Sequence, residues 1–453
     1  MNNNKDLLKR ISNLLNENNE LKKNINSCIE EKNNIYNELL KLKNEGDKAG
    51  KHESKHFDMV TILFIEFFGF STINQQDTSQ ILIDELDLVY LEFNKIAKKY
   101  KTVQVKTLGD VYLCVGGIPE KNSTNSIDVV LAALEMRKYL EQRKQFFEAK
   151  DLPYWSYKIG IHTGNVTAII KSSKKNKYEV KGSNVDIASR IKSSAFKGEI
   201  AISENTYELV KSYFSTKYKM LLPAKYFKPL EIFTVSRIKK AYSVERKGLE
   251  PNEIFHTKYK LRQFSDLQEV ILDFLEKNLP DYLYYHNVKH TIDVITQVEL
   301  IGVVEGVTDY ELLLLKTAAL FHDSGQINGS KDHEEKSCEY AEKFLPEYGY
   351  TKNEIEEIKK LIMATKLPPN PKTLTEKIMC DADLDYLGRK DFIPVSETLF
   401  KELKAQNIIT DKNEWNKIQV KFLESHSYFT NTANKLREVN KKEQIERLKK
   451  LIV

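Results

Sequence analysis

Histidines and carboxylates recur in the C-terminal half of this sequence in an arrangement that suits a metal ion. His286 and His290 stand four residues apart at the start of an amphipathic pattern, so both face one side of a helix. His322-Asp323 closes an almost wholly apolar stretch, 311–321, and His333-Glu334-Glu335 and Asp381-Ala382-Asp383-Leu384-Asp385 follow. Imidazole and carboxylate together suit a hard or borderline divalent ion such as Mn²⁺, Fe²⁺, Zn²⁺ or Mg²⁺.

A second set lies in the N-terminal half. Between Val105 and Tyr112, apolar and polar residues alternate on either side of a Leu108-Gly109-Asp110 corner. This predicts two short strands folded back on each other, with Asp110 at an exposed tip and Lys106 on the adjoining strand. A carboxylate and an ammonium fixed close together suit a metal-bound, polyphosphate-bearing ligand. Glu66 is the only charge in the apolar run 60–67, and an acid ending a buried strand is expected to be paired or bound to metal. Gly69-Phe70-Ser71 then turns into a helix whose free N–H groups can receive phosphate.

The elements that hold these residues follow from periodicity. Leu7, Leu14, Leu21, Cys28, Ile35 and Leu42 occupy one core position of a heptad pattern over 5–45, and Ile11, Asn18, Ile25, Lys32 and Leu39 the other. This predicts a parallel coiled coil, with Asn18 of the type that favours two strands in one register. A linker is expected at 46–56. Helices near 79–99 and 123–148 then alternate with strands at 60–67, 157–163 and 199–203, which predicts one mixed sheet covered by helices. Residues 237–262 are basic and polar and read as a connection, beyond which the pattern is helical to the end.

Over about 57–236 the chain resembles the class III nucleotidyl cyclases. Four segments carry the resemblance in family order: 63–71, 106–110, Ile159-Gly160-Ile161-His162-Thr163-Gly164, and 182–190. The resemblance implies an α+β, ferredoxin-like catalytic domain working as a homodimer, each site built across the interface. It implies two Mg²⁺ (or Mn²⁺) ions held at Glu66 and Asp110, a base-reading pair at Lys106 and Glu179, and transition-state support from Asp186 and Arg190. Gly69 and Phe70 fall on the phosphate-facing turn, and Lys225 and Lys228 are both candidates for the triphosphate-binding lysine. Lys106 only donates hydrogen bonds, so it suits adenine N1 and is repelled by the N1–H of guanine; ATP is the expected substrate. Glu66 is one methylene longer than the family's usual Asp, which would lower activity or favour Mn²⁺ over the tightly octahedral Mg²⁺. Asp186 stands where an Asn is usual.

Over about 263–450 the chain resembles the all-α HD-domain metal-dependent phosphohydrolases. His290, His322-Asp323 and Asp383 match that family's metal-binding set, with Asp381 an alternative ligand and His333 a candidate for a second metal. Around Ala364-Thr365-Lys366 the histidine of two-metal members is missing. Tyr285-His286-Asn287 followed by His290 also resembles cyclic nucleotide phosphodiesterases, which implies that His286 protonates the leaving oxygen. That role suits a side chain titrating near neutrality. His426 reads as structural.

Composition bounds the rest. The 453 residues exceed one ordinary core, and a net charge of +5, dispersed over that length, carries no nucleic-acid signal. There is no run of about 18 uncharged apolar residues, and the N-terminus lacks the apolar core of a secretory leader, so no membrane span is expected. Four scattered cysteines predict a reducing, cytoplasmic setting. The combined expectation is conversion of ATP to 3′,5′-cyclic AMP and pyrophosphate in one half. The other half would hydrolyse a phosphate ester, such as a cyclic nucleotide. The alternatives are an HD phosphohydrolase regulated by a degenerate cyclase-like domain, and a scaffold that only binds nucleotide and metal.

Overall fold

The computed structural model describes residues 53–69, 76–172, 177–223 and 229–452. The heptad stretch 5–45, Phe70, Lys225 and Lys228 lie outside the described residues.

The first half is built on a mixed sheet. Strand β1 (Glu53–Phe68) is followed by helix α1 (Gln76–Lys99), β2 (Val103–Leu108), β3 (Val111–Gly116), α2 (Asn125–Glu148) and β4 (Ser156–Ser172). Then come β5 (Lys177–Lys181), α3 (Ser183–Ser194), β6 (Ile200–Ser203), α4 (Glu204–Val210), β7 (Phe214–Leu222) and β8 (Leu230–Ile238). The strands lie in the order β2-β3-β1-β4-β6-β8-β7, and β5 pairs with β4. The first six elements form a β-α-β-β-α-β unit. The β4–β6 pair is parallel and the β1–β3 and β2–β3 pairs are antiparallel. The hairpin arm Thr167–Lys181 belongs to a different compact unit from the body formed by 57–166 and 182–453.

Strand alternation sets what each face carries. Leu63, Ile65 and Phe67 pack with Val89 and Phe93 of α1 and Val129, Val130 and Ala133 of α2 in one core. Glu66, between Ile65 and Phe67, therefore points to the other face of the sheet, where Ile191 and Ala195 pack with Ala201 and Ile232.

The second half is helical: α5 (Glu253–Asn278), α6 (Val288–Glu305), α7 (Asp309–Phe321), α8 (His333–Phe344), α9 (Lys352–Ala364), α10 (Leu374–Asp383), α11 (Phe392–Ala405), α12 (Lys412–Ser425) and α13 (Asn431–Lys449). Capping boxes start three of them, at Thr308/Glu311, Thr351/Glu354 and Thr373/Glu376. No helix among the described residues is long and apolar enough to cross a membrane.

The connection expected over 237–262 is not a free linker. Helix α5 begins at Glu253. Its Phe255 is buried in the core under the sheet, whereas Phe264, Leu267, Ile271 and Leu275 are buried in the helical core. Three of its basic residues are bonded to distant elements. Lys258 reaches Asp309 at 2.9 Å, Lys260 reaches Glu354 at 2.7 Å, and Arg262 Nε donates to the Ser123 carbonyl at 2.7 Å.

Candidate functional site

In the helical half, side chains from three helix ends converge. Asn287 caps α6, its side chain accepting from the N–H groups of Lys289 and His290, which fixes His290 in the first turn. His322-Asp323 follows the last residue of α7, and Asp383 is the last residue of α10. His290 Nε2 lies 3.1 Å from Asp383 Oδ1, 3.3 Å from His322 Nε2 and 3.4 Å from Asp323 Oδ2. His322 Nε2 lies 3.2 Å from Asp323 Oδ2 and 3.4 Å from Asp383 Oδ1. Donor atoms about 2.0–2.1 Å from one ion stand roughly 2.8–3.4 Å apart in octahedral or tetrahedral geometry; His290, His322 and Asp383 present atoms spaced close to that, and Asp323 Oδ2 stands at a similar distance from both histidines.

Two further observations test that fit. Asp323 Oδ2 is buried without a hydrogen-bond partner among the described residues, so a charged oxygen faces the centre of the cluster. His322 Nδ1–H donates to the Ala319 carbonyl at 2.8 Å, which leaves Nε2 as the ring nitrogen that faces the cluster. Electrostatics agree. Burial opposes charge on Asp323, yet the His322 and His286 rings hold its carboxyl well below the usual range. Burial likewise opposes charge on His322, and Asp323 and Asp383 drive its pKa well above the ordinary histidine value. The residues present fit a divalent ion.

Around this cluster, His333 Nε2 is 3.4 Å from the other oxygen of Asp323. Lys366 and Thr365 line the same cavity wall, where a second ion would need another donor. The Asp381 carboxylate is turned away, accepting from the N–H groups of Phe429 and Thr430 at 2.9 and 2.7 Å and from the Thr430 hydroxyl. It thus ties down the segment leading into α13, and Asp383 alone of the two acids joins the cluster. His426 is buried with neither ring nitrogen bonded among the described residues; burial lowers its pKa to about 4.

His286 faces a cavity of about 520 Å³ together with Asp323, His333 and Asp383. The far wall is apolar, with Leu399, Leu403, Trp415, Ile418 and Phe422. Glu402, absent from the sequence-based set, orients His286: Oε1 meets Nδ1 at 2.5 Å. It is one of two acids, with Glu397, in an amphipathic helix, and nothing in the local pattern distinguishes it from a solvated one.

In the sheet half, the expected hairpin forms, with Gly109 at φ 58° in the turn and Asp110 exposed beyond it. Lys106 lies in β2 opposite Leu113. The Phe67 N–H donates to the Asp110 carbonyl at 2.8 Å, so the backbones carrying Glu66 and Asp110 adjoin. The Tyr90 hydroxyl on α1 steadies the tip by donating to the Gly109 carbonyl at 2.8 Å. Asp186 and Arg190 are exposed four residues apart on α3, and Arg190 donates to the Pro223 carbonyl. His162 Nε2, 3.0 Å from Asn184 Oδ1, fixes the start of that helix from β4. Gly69 ends β1, and Glu179 on the separate hairpin arm has Lys181 Nζ 3.6 Å from its Oε1. One contact was not legible in the sequence: Lys192 Nζ lies 3.0 Å from Glu66 Oε1.

Comparison with known proteins assigns both halves. The family model for the adenylate and guanylate cyclase catalytic domain matches residues 52–236, and that for the HD domain matches 287–385. The receptor-type guanylate cyclase gcy-28 of Caenorhabditis elegans is 29% identical over 160 residues, 35% of this chain and 12% of that protein. The guanylate cyclase soluble subunit alpha-1 of Rattus norvegicus is 30% identical over 159 residues, 35% of this chain and 22% of that one. The chain thus spans less than a quarter of the length of these relatives. The adenylyl cyclase CyaB from P. aeruginosa is 28% identical, covering 41% of this chain and 96% of that one at a TM-score of 0.37. The two family-model matches show that the chain carries a class III adenylate/guanylate cyclase catalytic domain and an HD domain.

Proposed function

We propose that the chain is a cytoplasmic homodimer with two phosphoryl-transfer sites. Its cyclase half converts ATP to 3′,5′-cyclic AMP and pyrophosphate, and its HD half hydrolyses a phosphate ester, a cyclic nucleotide being the best fit. The observation that carries the HD reading is the clustering of His290, His322 and Asp383 at 3.1–3.4 Å spacings, with Asp323 Oδ2 3.4 and 3.2 Å from the two histidines. A divalent ion held there supplies Lewis acidity for phosphoryl transfer. His286, its Nδ1 tied to Glu402, presents its other ring nitrogen to substrate. Water adds to phosphorus, the ester P–O bond breaks, and His286 gives the leaving oxygen its proton. Burial pulls the His286 pKa down, but Asp323 and Glu402 outweigh it and the net shift is upward, which favours the protonated acid.

ATP as the substrate of the first half rests on the donor-only Lys106 and the acceptor Glu179. Arg190, exposed on α3, supplies positive charge for the transition state. A second reading, an HD phosphohydrolase regulated by a cyclase-like domain that no longer turns over, is favoured by the ion pair between Lys192 and Glu66. Incubating the purified chain with each of the four nucleoside triphosphates, in Mg²⁺ and then Mn²⁺, separates the two readings. A cyclic product from ATP that disappears in Asp110→Ala supports the first, and no cyclic product from any triphosphate supports the second.

A further inference from the structure

We propose that Lys192 takes the place of a divalent ion at Glu66, so that the cyclase half loads one such ion, at Asp110, instead of two. The proposal rests on the reading that this half takes a metal–triphosphate. The Lys192 side chain is only 8% exposed, and its Nζ sits 3.0 Å from Glu66 Oε1.

The backbone forces this position. A Cβ at Gly160 of β4 would lie 2.2 Å from the Lys192 backbone nitrogen and 2.4 Å from its Cα, so α3 rests directly on that strand. Ile191 and Ala188 bury the adjoining helix face, at 0% exposure each. The lysine stem is thereby confined over the sheet, and β1, the neighbour of β4, directs Glu66 to that same face. The extra methylene of Glu over Asp carries the carboxylate toward the ammonium.

A buried ammonium is tolerated only when paired, and removing its partner leaves an uncompensated charge. An ion drawing Glu66 away would do that to Lys192, and would also stand beside a positive group. The carboxylate is already neutralised by the chain itself. Asp110, exposed at the hairpin tip, is paired with no ammonium among the described residues.

The test counts bound Mn²⁺ by electron paramagnetic resonance on the full chain, with and without a non-cyclisable ATP analogue. Expected are one more Mn²⁺ on Lys192→Met than on the wild type, no change on Glu66→Gln, and one fewer on Asp110→Asn. Equal counts on wild type and Lys192→Met, or one fewer ion on Glu66→Gln, would overturn the proposal. Glu66→Gln keeps the test valid if Lys192→Met folds poorly. Analogue binding is measured separately: its absence defeats the nucleotide reading, while the counts without analogue still decide the role of Lys192.

Discussion

Glu402 holds the His286 ring through a 2.5 Å contact from Oε1 to Nδ1, while its Oε2 accepts the N–H groups of Tyr285 and His286 at 2.9 and 3.1 Å. One buried carboxylate thus fixes both the ring and the backbone that carries it. Glu402→Gln should lower the kcat of ester hydrolysis about 10–100-fold, as loss of a supporting partner typically does, with metal content unchanged. Glu402 also helps hold the His286 pKa up, against burial and alongside Asp323. His286 acts protonated, so activity falls as pH rises through its pKa, and the variant should shift that alkaline limb to lower pH. A pH–rate profile with metal analysis checks both.

The neighbouring acids Asp381 and Asp383 should behave oppositely. Asp383→Asn should cost at least about 10–100-fold in metal affinity and abolish most hydrolysis. Asp381→Asn should leave the metal in place but destabilise the chain by about 1–3 kcal/mol, because three donors from Phe429 and Thr430 lose a charged acceptor. Equilibrium dialysis and urea unfolding of the two variants separate these effects.

Asp128 is buried where α2 meets α5, bonded by Tyr259 at 2.8 Å and Thr124 at 3.0 Å. Burial raises its pKa from 3.8 to about 6, against those hydrogen bonds. The folded state therefore keeps the proton to higher pH than the unfolded chain. The resulting stability is fully present below the ordinary carboxylate pKa and is lost as pH rises through about 6. Two pKa units correspond to about 2–3 kcal/mol. Asp128→Asn should gain on the wild type by about that amount between pH 4 and pH 8, read from urea midpoints.

Gly160→Ala tests the seating of α3. The added methyl would overlap the Lys192 backbone, so the helix must lift. Overpacking of this kind costs about 1–3 kcal/mol, and Arg190 and Asp186 would shift with it. Lower thermal stability together with reduced nucleotide-analogue binding is expected.

Much of the chemistry was legible because it is local. The adjacent His322-Asp323 and the Leu-Gly-Asp corner each announce themselves within a few residues, and His286 and His290 are close in sequence, although His286 precedes α6 instead of sharing a helix face with His290. Glu402 and Lys192 did not, because each acts on a residue more than 100 positions away, by contacts that only the packing of α11 and α3 creates. The segment 237–262 misled for a related reason. Lys258, Lys260 and Arg262 look solvated in sequence, and their partners Asp309, Glu354 and Ser123 come from distant elements. The choice between Asp381 and Asp383 likewise needed the turn at Phe429 that occupies one of them.

The central claim, synthesis of a cyclic nucleotide in one half and its hydrolysis in the other, is tested most directly by following ATP through the full chain. Wild type and Asp323→Ala are incubated with ATP and Mn²⁺, and cyclic AMP and AMP are quantified by chromatography over time. The account predicts that the wild type accumulates AMP through a transient cyclic intermediate, and that Asp323→Ala accumulates cyclic AMP. No cyclic AMP from either chain, or cyclic AMP that persists equally in both, would contradict it.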